Sequence, residues 1–199
     1  MRRYQRRLPH YDAVGERLFV TFRLHGSLPA SRIVPPQNLT SGKAFLAMDR
    51  LPDAARLGPV YLRQPEIAKI VEQALLNGEI KFQRYALHAF VIMLNHVHLL
   101  VESRVPTARW LGSLKGLTAH AANRLLGLRG PFLQDESYDR LVRNVDEFDR
   151  ILRYIENNPV AAGLVHTRDE FLWSSAPGGS PAAGRKACPT KALGGSEAL

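Results

Sequence analysis

Two histidines one residue apart, His96 and His98, are the side chains whose type and spacing most clearly suggest chemistry. They lie in an apolar, β-branched run between His88 and Glu102, and such a run predicts a strand. Alternate residues of a strand point to the same face, so both imidazoles project together, separated by two rises of roughly 3.3 Å each. Two rings at this spacing can bind one cation. The alternative is a pair of core or surface histidines hydrogen-bonded to their neighbours.

A tyrosine and an asparagine one helical turn apart form the second candidate group. The run from Phe148 to Asn158 carries the apolar stripe of an amphipathic helix. On such a helix Tyr154 and Asn158 share one face, with Cβ atoms roughly 5–6 Å apart. Beside a histidine pair, the phenol would supply a nucleophile and the amide an oxygen ligand. The alternative is that Tyr154 is an ordinary helix residue and Asn158 a C-terminal cap before Pro159.

The elements that must position these residues follow from periodicity and turn signals. Arg17–Leu24 predicts a strand, and two strands joined by a tight turn near Leu94–Asn95 are expected between about Ile80 and Glu102. A short strand or loop is expected at Pro131–Asp135. Helices are expected at 37–51, at 65–77 with Pro65 in the first turn and Gly78 as the stop, at Thr107–Leu126, and from a cap at Asp146 to about Asn158, ended by Pro159 and Gly163.

Strands separated by helices of modest length, with one hairpin, indicate an α+β fold in which helices cover one face of an antiparallel sheet. We divide the chain into a basic N-terminal arm over 1–17, a single domain over 18–175 and a tail over 176–199. Four arginines in the first seven residues, without apolar periodicity, indicate a mobile arm that tracks phosphates; a merely solubilising terminus is the alternative. The tail is rich in Gly, Pro, Ala and Ser and is predicted to be disordered.

Charge and composition limit the classes of partner. The 199 residues suffice for one domain with a sizeable core, and 27 Lys and Arg against 18 Asp and Glu give a net charge of +9 and a pI of about 10.1. This bias favours polyanions, above all nucleic acid; an anionic membrane surface and a polyphosphate ligand are the competing partners. The sequence shows no bilayer-spanning apolar run and no signal peptide, so we expect no membrane. The single Cys188 can form no internal disulfide, which fits a cytoplasmic protein.

Two segments that contain the candidate residues resemble a known family. Met93–Leu100 resembles the His-hydrophobe-His (HUH) signature of single-tyrosine transposases of the insertion-sequence 200 type, and Arg153–Val165 resembles the Tyr-x-x-x-Asn-Pro-Val segment of the REP-associated branch. Leu94 stands where the family usually has proline, and Ala161–Ala162 replaces a pair that is commonly basic at one position. The resemblance covers roughly residues 8 to 175 in the same order, through the further stretches Leu8–Tyr11, Phe19–Pro29, Phe132–Arg143 and Trp173–Ser175.

The resemblance implies a metal-dependent enzyme that cuts and rejoins single-stranded DNA. Tyr154 would attack a scissile phosphate, form a 5′-phosphotyrosine and release a 3′-hydroxyl that can reverse the reaction. His96, His98 and Asn158 would hold one divalent cation, Mg²⁺ or Mn²⁺, to stabilise charge on the non-bridging oxygens; the spacing also permits zinc. We expect a ferredoxin-like antiparallel sheet covered by helices. The implied target is hairpin-forming repeat DNA with a neighbouring tetranucleotide as guide.

A basic set is predicted to bind this DNA, although each member taken singly could be a solvated surface charge. Its members are Arg2, Arg3, Arg6, Arg7, Lys115, His120, Arg124, Arg140, Arg143 and Arg153. Two other functions stay open at this point: a domesticated regulator that binds hairpin DNA with little or no transposition, and a small metal-dependent phosphodiester hydrolase. We expect a cytoplasmic, nucleoid-associated protein, and the sequence leaves monomer and homodimer open.

Overall fold

The computed structural model describes residues 2–5, 9–12, 14–27 and 58–179. Within these ranges the chain forms six strands and three α-helices. The strands are β1 (Arg2–Gln5), β2 (Pro9–Asp12), β3 (Arg17–Arg23), β4 (Tyr85–Ile92), β5 (His96–Ser103) and β6 (Tyr138–Leu141). The helices are α1 (Pro65–Ile80), α2 (Thr107–Leu126) and α3 (Val145–Ala161).

A four-stranded antiparallel sheet in the order β4-β5-β3-β6 organises the domain. The first of these strands in the chain, β3, therefore lies inside the sheet beside β5, while β4 and β6 form its edges. Helix α1 connects β3 to β4 and α2 connects β5 to β6, so each strand–helix–strand unit is split by a strand of the other. This is the ferredoxin-like arrangement, and the predicted fold class is confirmed.

Helices cover both faces of the sheet, so the expectation of one covered face was wrong. On one face Phe22 and Leu99 join the core formed with α1 and α2. On the other face Phe19 and Leu100 pack against Ile155 of α3 and its neighbours. Strands buried on both faces carry nearly continuous apolar runs rather than alternation, and β5 is buried at seven of its eight positions. Helix α3 forms this second layer and therefore lies over β5, the strand that carries both histidines.

Helix α1 continues to Ile80, past the stop predicted at Gly78. Gly78 is used for close approach instead, because a Cβ there would overlap the hydroxyl of Tyr85. That hydroxyl donates a hydrogen bond of 2.8 Å to the Leu75 carbonyl oxygen, and the Tyr85 ring lies edge-on to Trp110 with centroids 4.8 Å apart. The glycine therefore seats a buried tyrosine between α1 and α2.

The boundaries of α3 differ from the prediction at both ends. The N-cap is Asn144, whose side-chain oxygen accepts from the Glu147 backbone N–H at 2.8 Å, so Asp146 lies inside the first turn. The helix also runs through Pro159 to Ala161. A proline in the last turn removes few backbone hydrogen bonds, and its carbonyl oxygen accepts from Leu164 N–H at 2.9 Å. Asn158 is therefore a helix residue rather than the cap considered above.

Most other elements match their predictions. The strand at Arg17–Arg23, the hairpin with its turn at Leu94–Asn95, and helix Thr107–Leu126 are confirmed. Pro131–Asp135 is a loop with one isolated bridge, between Leu133 and Leu24. Strand β6 was missed, since it is a four-residue edge strand with little apolar alternation. The helix predicted at 37–51 lies outside the described residues.

The described residues form contacts on both sides of the predicted domain boundaries. In the arm, β1 and β2 pair as an antiparallel ribbon, and Tyr11 N–H donates a 2.7 Å hydrogen bond to Asp139 of β6. Backbone pairing needs no apolar period, so the composition did not reveal it. At the other end Ser174 bridges to β4, and Ala176, the first residue of the predicted tail, is fully buried. Disorder was predicted for 176–199; residues 176–179 are described, and 180–199 lie outside the described part. Among the described residues, each helix is too short or too polar to span a lipid bilayer.

Candidate active site

Strand β5 places the two histidine rings on the same face, as the alternation predicts. The ring centroids of His96 and His98 lie 4.7 Å apart, at an interplanar angle of 73°. Both side chains are buried, with residue exposures of 3% and 1%. Two basic rings this close together and removed from water can offer two nitrogen ligands to one metal ion.

Each ring uses its Nδ1 atom in a hydrogen bond with a buried neighbour. His96 Nδ1 lies 2.8 Å from the side-chain oxygen of Asn95, and His98 Nδ1 lies 2.8 Å from the hydroxyl of Thr21 on β3. An amide oxygen only accepts, so the bond to Asn95 places a proton on His96 Nδ1 and leaves a lone pair on Nε2.

That Nε2 atom is the unusual feature of the pair. His96 Nε2 is buried and has no hydrogen-bond partner among the described residues. Burial lowers the pKa of His96 well below its usual value, and the nearby charges of Arg23 and His98 act in the same direction. A neutral, buried imidazole whose nitrogen lone pair accepts no hydrogen bond can bind a metal ion instead. The alternative of a histidine satisfied by its neighbours therefore does not describe His96.

Helix α3 brings the predicted nucleophile to the same face. The ring of Tyr154 lies 5.5 Å from the ring of His98, centroid to centroid, at 71°. Phe19 of β3 holds both rings: it stacks on His98 at 5.5 Å and 24°, and it meets Tyr154 edge-on at 6.2 Å. The sheet and the helix thus place the tyrosine beside the histidine pair.

Asn158 lies one turn below Tyr154, as predicted, and is buried. Its side-chain N–H donates a hydrogen bond of 2.9 Å to the hydroxyl oxygen of Tyr154. Because this bond uses the amide nitrogen, Asn158 would present its oxygen to a cation. The same amide N–H therefore contacts the oxygen atom that is predicted to be the nucleophile.

The donor set fits one divalent cation with open coordination positions. It consists of two imidazole nitrogens and one amide oxygen, all neutral. The described residues hold no cluster of three or more His, Cys, Asp or Glu side chains that would suggest a closed structural site. Mixed nitrogen and oxygen ligands suit Mn²⁺, and Mg²⁺ with water in the remaining positions. The observation that favours a cation here is that His96 Nε2 is buried and accepts no hydrogen bond from the part of the chain that the structure describes.

Comparisons with known proteins point to one fold. Neither the protein-family profiles nor the curated proteins contain a match to this chain. Among solved structures, a REP-associated tyrosine transposase bound to a REP hairpin matches over 100% of this chain and 99% of its own, with a TM-score of 0.58 and 17% identity. The fold is that of a REP-associated tyrosine transposase. The resemblance noted in the sequence thereby gains a structural counterpart along the whole chain.

On this transposase fold the predicted DNA-binding residues fall into three groups. His120, Arg124, Arg143 and Arg153 are exposed, and Arg153 directly precedes Tyr154 on α3. Two others already make contacts within the protein: Lys115 donates 2.7 Å to the Asp135 carbonyl oxygen, and Arg140 bonds the buried carboxylate of Glu147. Arg2 and Arg3 lie in β1, whereas Arg6 and Arg7 are outside the described residues. Their role in DNA binding stays a prediction.

Three residues of the site were missed from the sequence. Thr21 and Arg23 are buried polar residues on the face of β3 that Phe19 also occupies, and their cross-strand partners are His98 and His96. Asn95, in the turn before β5, was used only as a turn signal. Polar residues inside the apolar strand Arg17–Leu24 were the available signal, because a buried polar side chain needs a partner.

Proposed function

We propose that this protein cuts and rejoins single-stranded DNA at hairpin-forming repeats, with one divalent cation and a 5′-phosphotyrosine intermediate. The observation that carries the proposal is the Tyr154 ring 5.5 Å from the ring of His98, in a site where the buried Nε2 of His96 has no hydrogen-bond partner among the described residues. A protein with the same fold, bound to a REP hairpin, supports the choice of DNA. The net charge of +9 also favours a polyanionic substrate.

The reaction follows from the chemistry of the phenol. Tyr154 Oη loses its proton and attacks the phosphorus atom, and the bond from phosphorus to the 3′ oxygen breaks. That oxygen takes up one proton and leaves as a 3′-hydroxyl, so the step neither gains nor loses a proton overall. Energy stored in the phosphotyrosine ester allows the 3′-hydroxyl of the same or another strand to reverse the step. The reference pKa of tyrosine is about 10, so stabilisation of the phenolate matters. The N–H of Asn158, 2.9 Å from the phenol oxygen, provides part of it.

His96, His98 and Asn158 would hold the cation, Mg²⁺ or Mn²⁺. Such an ion supplies Lewis-acid stabilisation of the negative charge on the non-bridging oxygens. The residues of the site orient the reacting groups and exclude water. Phe19 packs on the rings of His98 and Tyr154, and both histidines are buried away from solvent. These contacts hold the nucleophile and the ligands in one geometry before substrate arrives.

DNA binding would be supplied by basic side chains outside this centre. Arg143 is exposed just before α3, Arg153 is exposed in the middle of α3, and His120 and Arg124 are exposed on α2. Contacts to phosphates by such residues give affinity with little sequence preference. We propose a cytoplasmic, nucleoid-associated enzyme, with the oligomeric state left to direct measurement.

A hairpin oligonucleotide incubated with excess full-length protein and Mg²⁺ or Mn²⁺ tests the proposal. DNA labelled at its 3′ end should form a protein adduct that survives a denaturing gel, and DNA labelled at its 5′ end should yield a shorter free strand ending in a 3′-hydroxyl. Multiple turnovers without an adduct would indicate a hydrolase, and binding without cleavage would indicate a regulator.

Tyr154→Phe is the decisive variant, because it removes the attacking oxygen and keeps the ring. It should bind the hairpin normally and form no adduct, at the cost of one hydrogen bond, about 1 kcal/mol of stability. Tyr138→Phe is the matched control: Tyr138 also lies near Phe19, at 6.5 Å between ring centroids, but burial raises its pKa. An adduct formed at the wild-type rate by Tyr154→Phe would refute the assignment.

A further inference from the structure

The Nδ1 atoms of both histidines are held by side chains from outside the pair. The two partners come from different elements: Asn95 from the turn before β5, and Thr21 from β3, 77 residues away from His98 in the chain. Both partners are themselves buried, with exposures of 2% and 6%. Neither belongs to the set that would bind the cation, yet each touches one member of it.

Asn95 determines which nitrogen of His96 carries the proton. The amide oxygen accepts at 2.8 Å, so the proton is on Nδ1 and the lone pair is on Nε2. Asn95 is fixed in turn by its backbone, because its carbonyl oxygen accepts a 2.8 Å hydrogen bond from Leu24 N–H at the end of β3. The carboxamide therefore has a fixed position from which to hold the ring.

Thr21 acts on His98 in a different way. A hydroxyl both donates and accepts, so it tolerates either tautomer and instead fixes the plane of the ring. Thr21 and His98 are direct cross-strand partners, and Phe19, two residues earlier on β3, stacks on the same ring at an angle of 24°. With Nδ1 anchored by the hydroxyl, a proton on Nδ1 and a metal on Nε2 are compatible.

We propose that Asn95 and Thr21 are positioning residues that present the Nε2 atoms of His96 and His98 to one cation. This inference rests on the proposed function, since it concerns the same centre. Ligand orientation by an outer hydrogen bond is a general property of histidine metal sites, and its loss weakens metal affinity by about 10- to 100-fold. The structure assigns that task to these two side chains in this chain.

Titration of the metal-free full-length protein with Mn²⁺ in a calorimeter measures the effect directly. Thr21→Val keeps the shape and the β-branch while removing the hydroxyl, and Asn95→Ala removes the acceptor; each should weaken Mn²⁺ binding about 10- to 100-fold. Thr21→Ser and Asn95→Asp retain an oxygen at the same place and should bind within a few-fold of the wild type. Thr118→Val is the matched control, because Thr118 is a fully buried threonine on α2, across the sheet from the site.

A second measurement needs no metal. Nitrogen NMR of the imidazoles, on ¹⁵N-labelled protein at neutral pH, should show the His96 proton on Nδ1 in the wild type and a tautomer mixture in Asn95→Ala. The inference is overturned if both Thr21→Val and Asn95→Ala bind Mn²⁺ as the wild type does, or if wild-type His96 carries its proton on Nε2. If the wild type binds no Mn²⁺, the proposed function loses its cation, and the tautomer alone then decides the orienting role of Asn95.

Discussion

Gly78→Ala tests the packing between α1 and α2. We expect this variant to be less stable than the wild type, whereas helix propensity alone would predict that it is more stable. Alanine in place of a helical glycine normally stabilises by about 1 kcal/mol. At Gly78, however, the added Cβ would lie 2.6 Å from Tyr85 Cζ and 2.9 Å from Cε1. Those are stiff ring atoms of a side chain with 1% exposure, held by Leu75 and Trp110. The tyrosine has to move as a whole.

The magnitude follows from what that movement disrupts. Overpacking costs about 1–3 kcal/mol, and loss of the hydrogen bond from Tyr85 to the Leu75 carbonyl oxygen costs about 1 kcal/mol more. After the propensity gain is subtracted, the variant should be destabilised by about 1–3 kcal/mol, which lowers Tm by roughly 2–12 °C. Gly116→Ala is the matched control, since a Cβ at this glycine of α2 meets nothing within 4 Å. It should raise Tm. Thermal unfolding followed by circular dichroism measures both, and equal shifts of the two variants would refute the reasoning.

Three further perturbations address the site and the surface. His96→Ala and His98→Ala should each abolish cleavage in the denaturing-gel assay while gel-shift affinity for the hairpin stays nearly unchanged, because affinity comes mainly from phosphate contacts elsewhere; a parallel loss of binding contradicts metal catalysis at the pair. Deletion of residues 2–7 should flatten the slope of log affinity against log salt by roughly 1 to 3 units, because each lost phosphate contact to single-stranded DNA lowers the slope by about 0.7. Equal slopes for the deleted and the full-length protein in a salt titration would show that these arginines are only solvated charges. Burial lowers the pKa of His88, so the native state resists protonation of this residue and the free energy of unfolding should fall as pH drops below about 6.5. Urea titrations should show that His88→Gln loses less stability than the wild type between pH 7 and pH 5. Identical losses would show that His88 titrates as it does in the unfolded chain.

Local patterns were sufficient to predict the elements with a clear period. The apolar run that contains His96, the boundaries of α2 and the amphipathic stripe of α3 follow from spacing alone, and the structure confirms them. Spacing also predicted correctly that both histidine rings share one face and that Asn158 lies one turn from Tyr154. Each of these inferences needs only residues that are close in the chain.

The remaining features depend on contacts between distant segments. Glycine often ends a helix, but at Gly78 the space beside the residue is filled by Tyr85, and α1 continues to Ile80. The partner of His98 is 77 residues away, and no local pattern links Thr21 to it. The face of the sheet under α3 was also missed, because two-sided burial is a property of the assembled layers. Tertiary packing decides these points.

Helix α3 carries two of the proposed site residues and also covers the sheet, which limits how the proposed activity could be lost during evolution. The helix carries Tyr154 and Asn158, and the same helix covers Phe19 and Leu100 on one face of the sheet. A chain that ends before residue 145 would keep both histidines but would expose this apolar face to water, with a risk of aggregation. Point substitution of Tyr154 would leave the cover in place. If the protein cuts DNA as proposed, a lineage that keeps only DNA binding should therefore retain the helix and lose the hydroxyl of Tyr154.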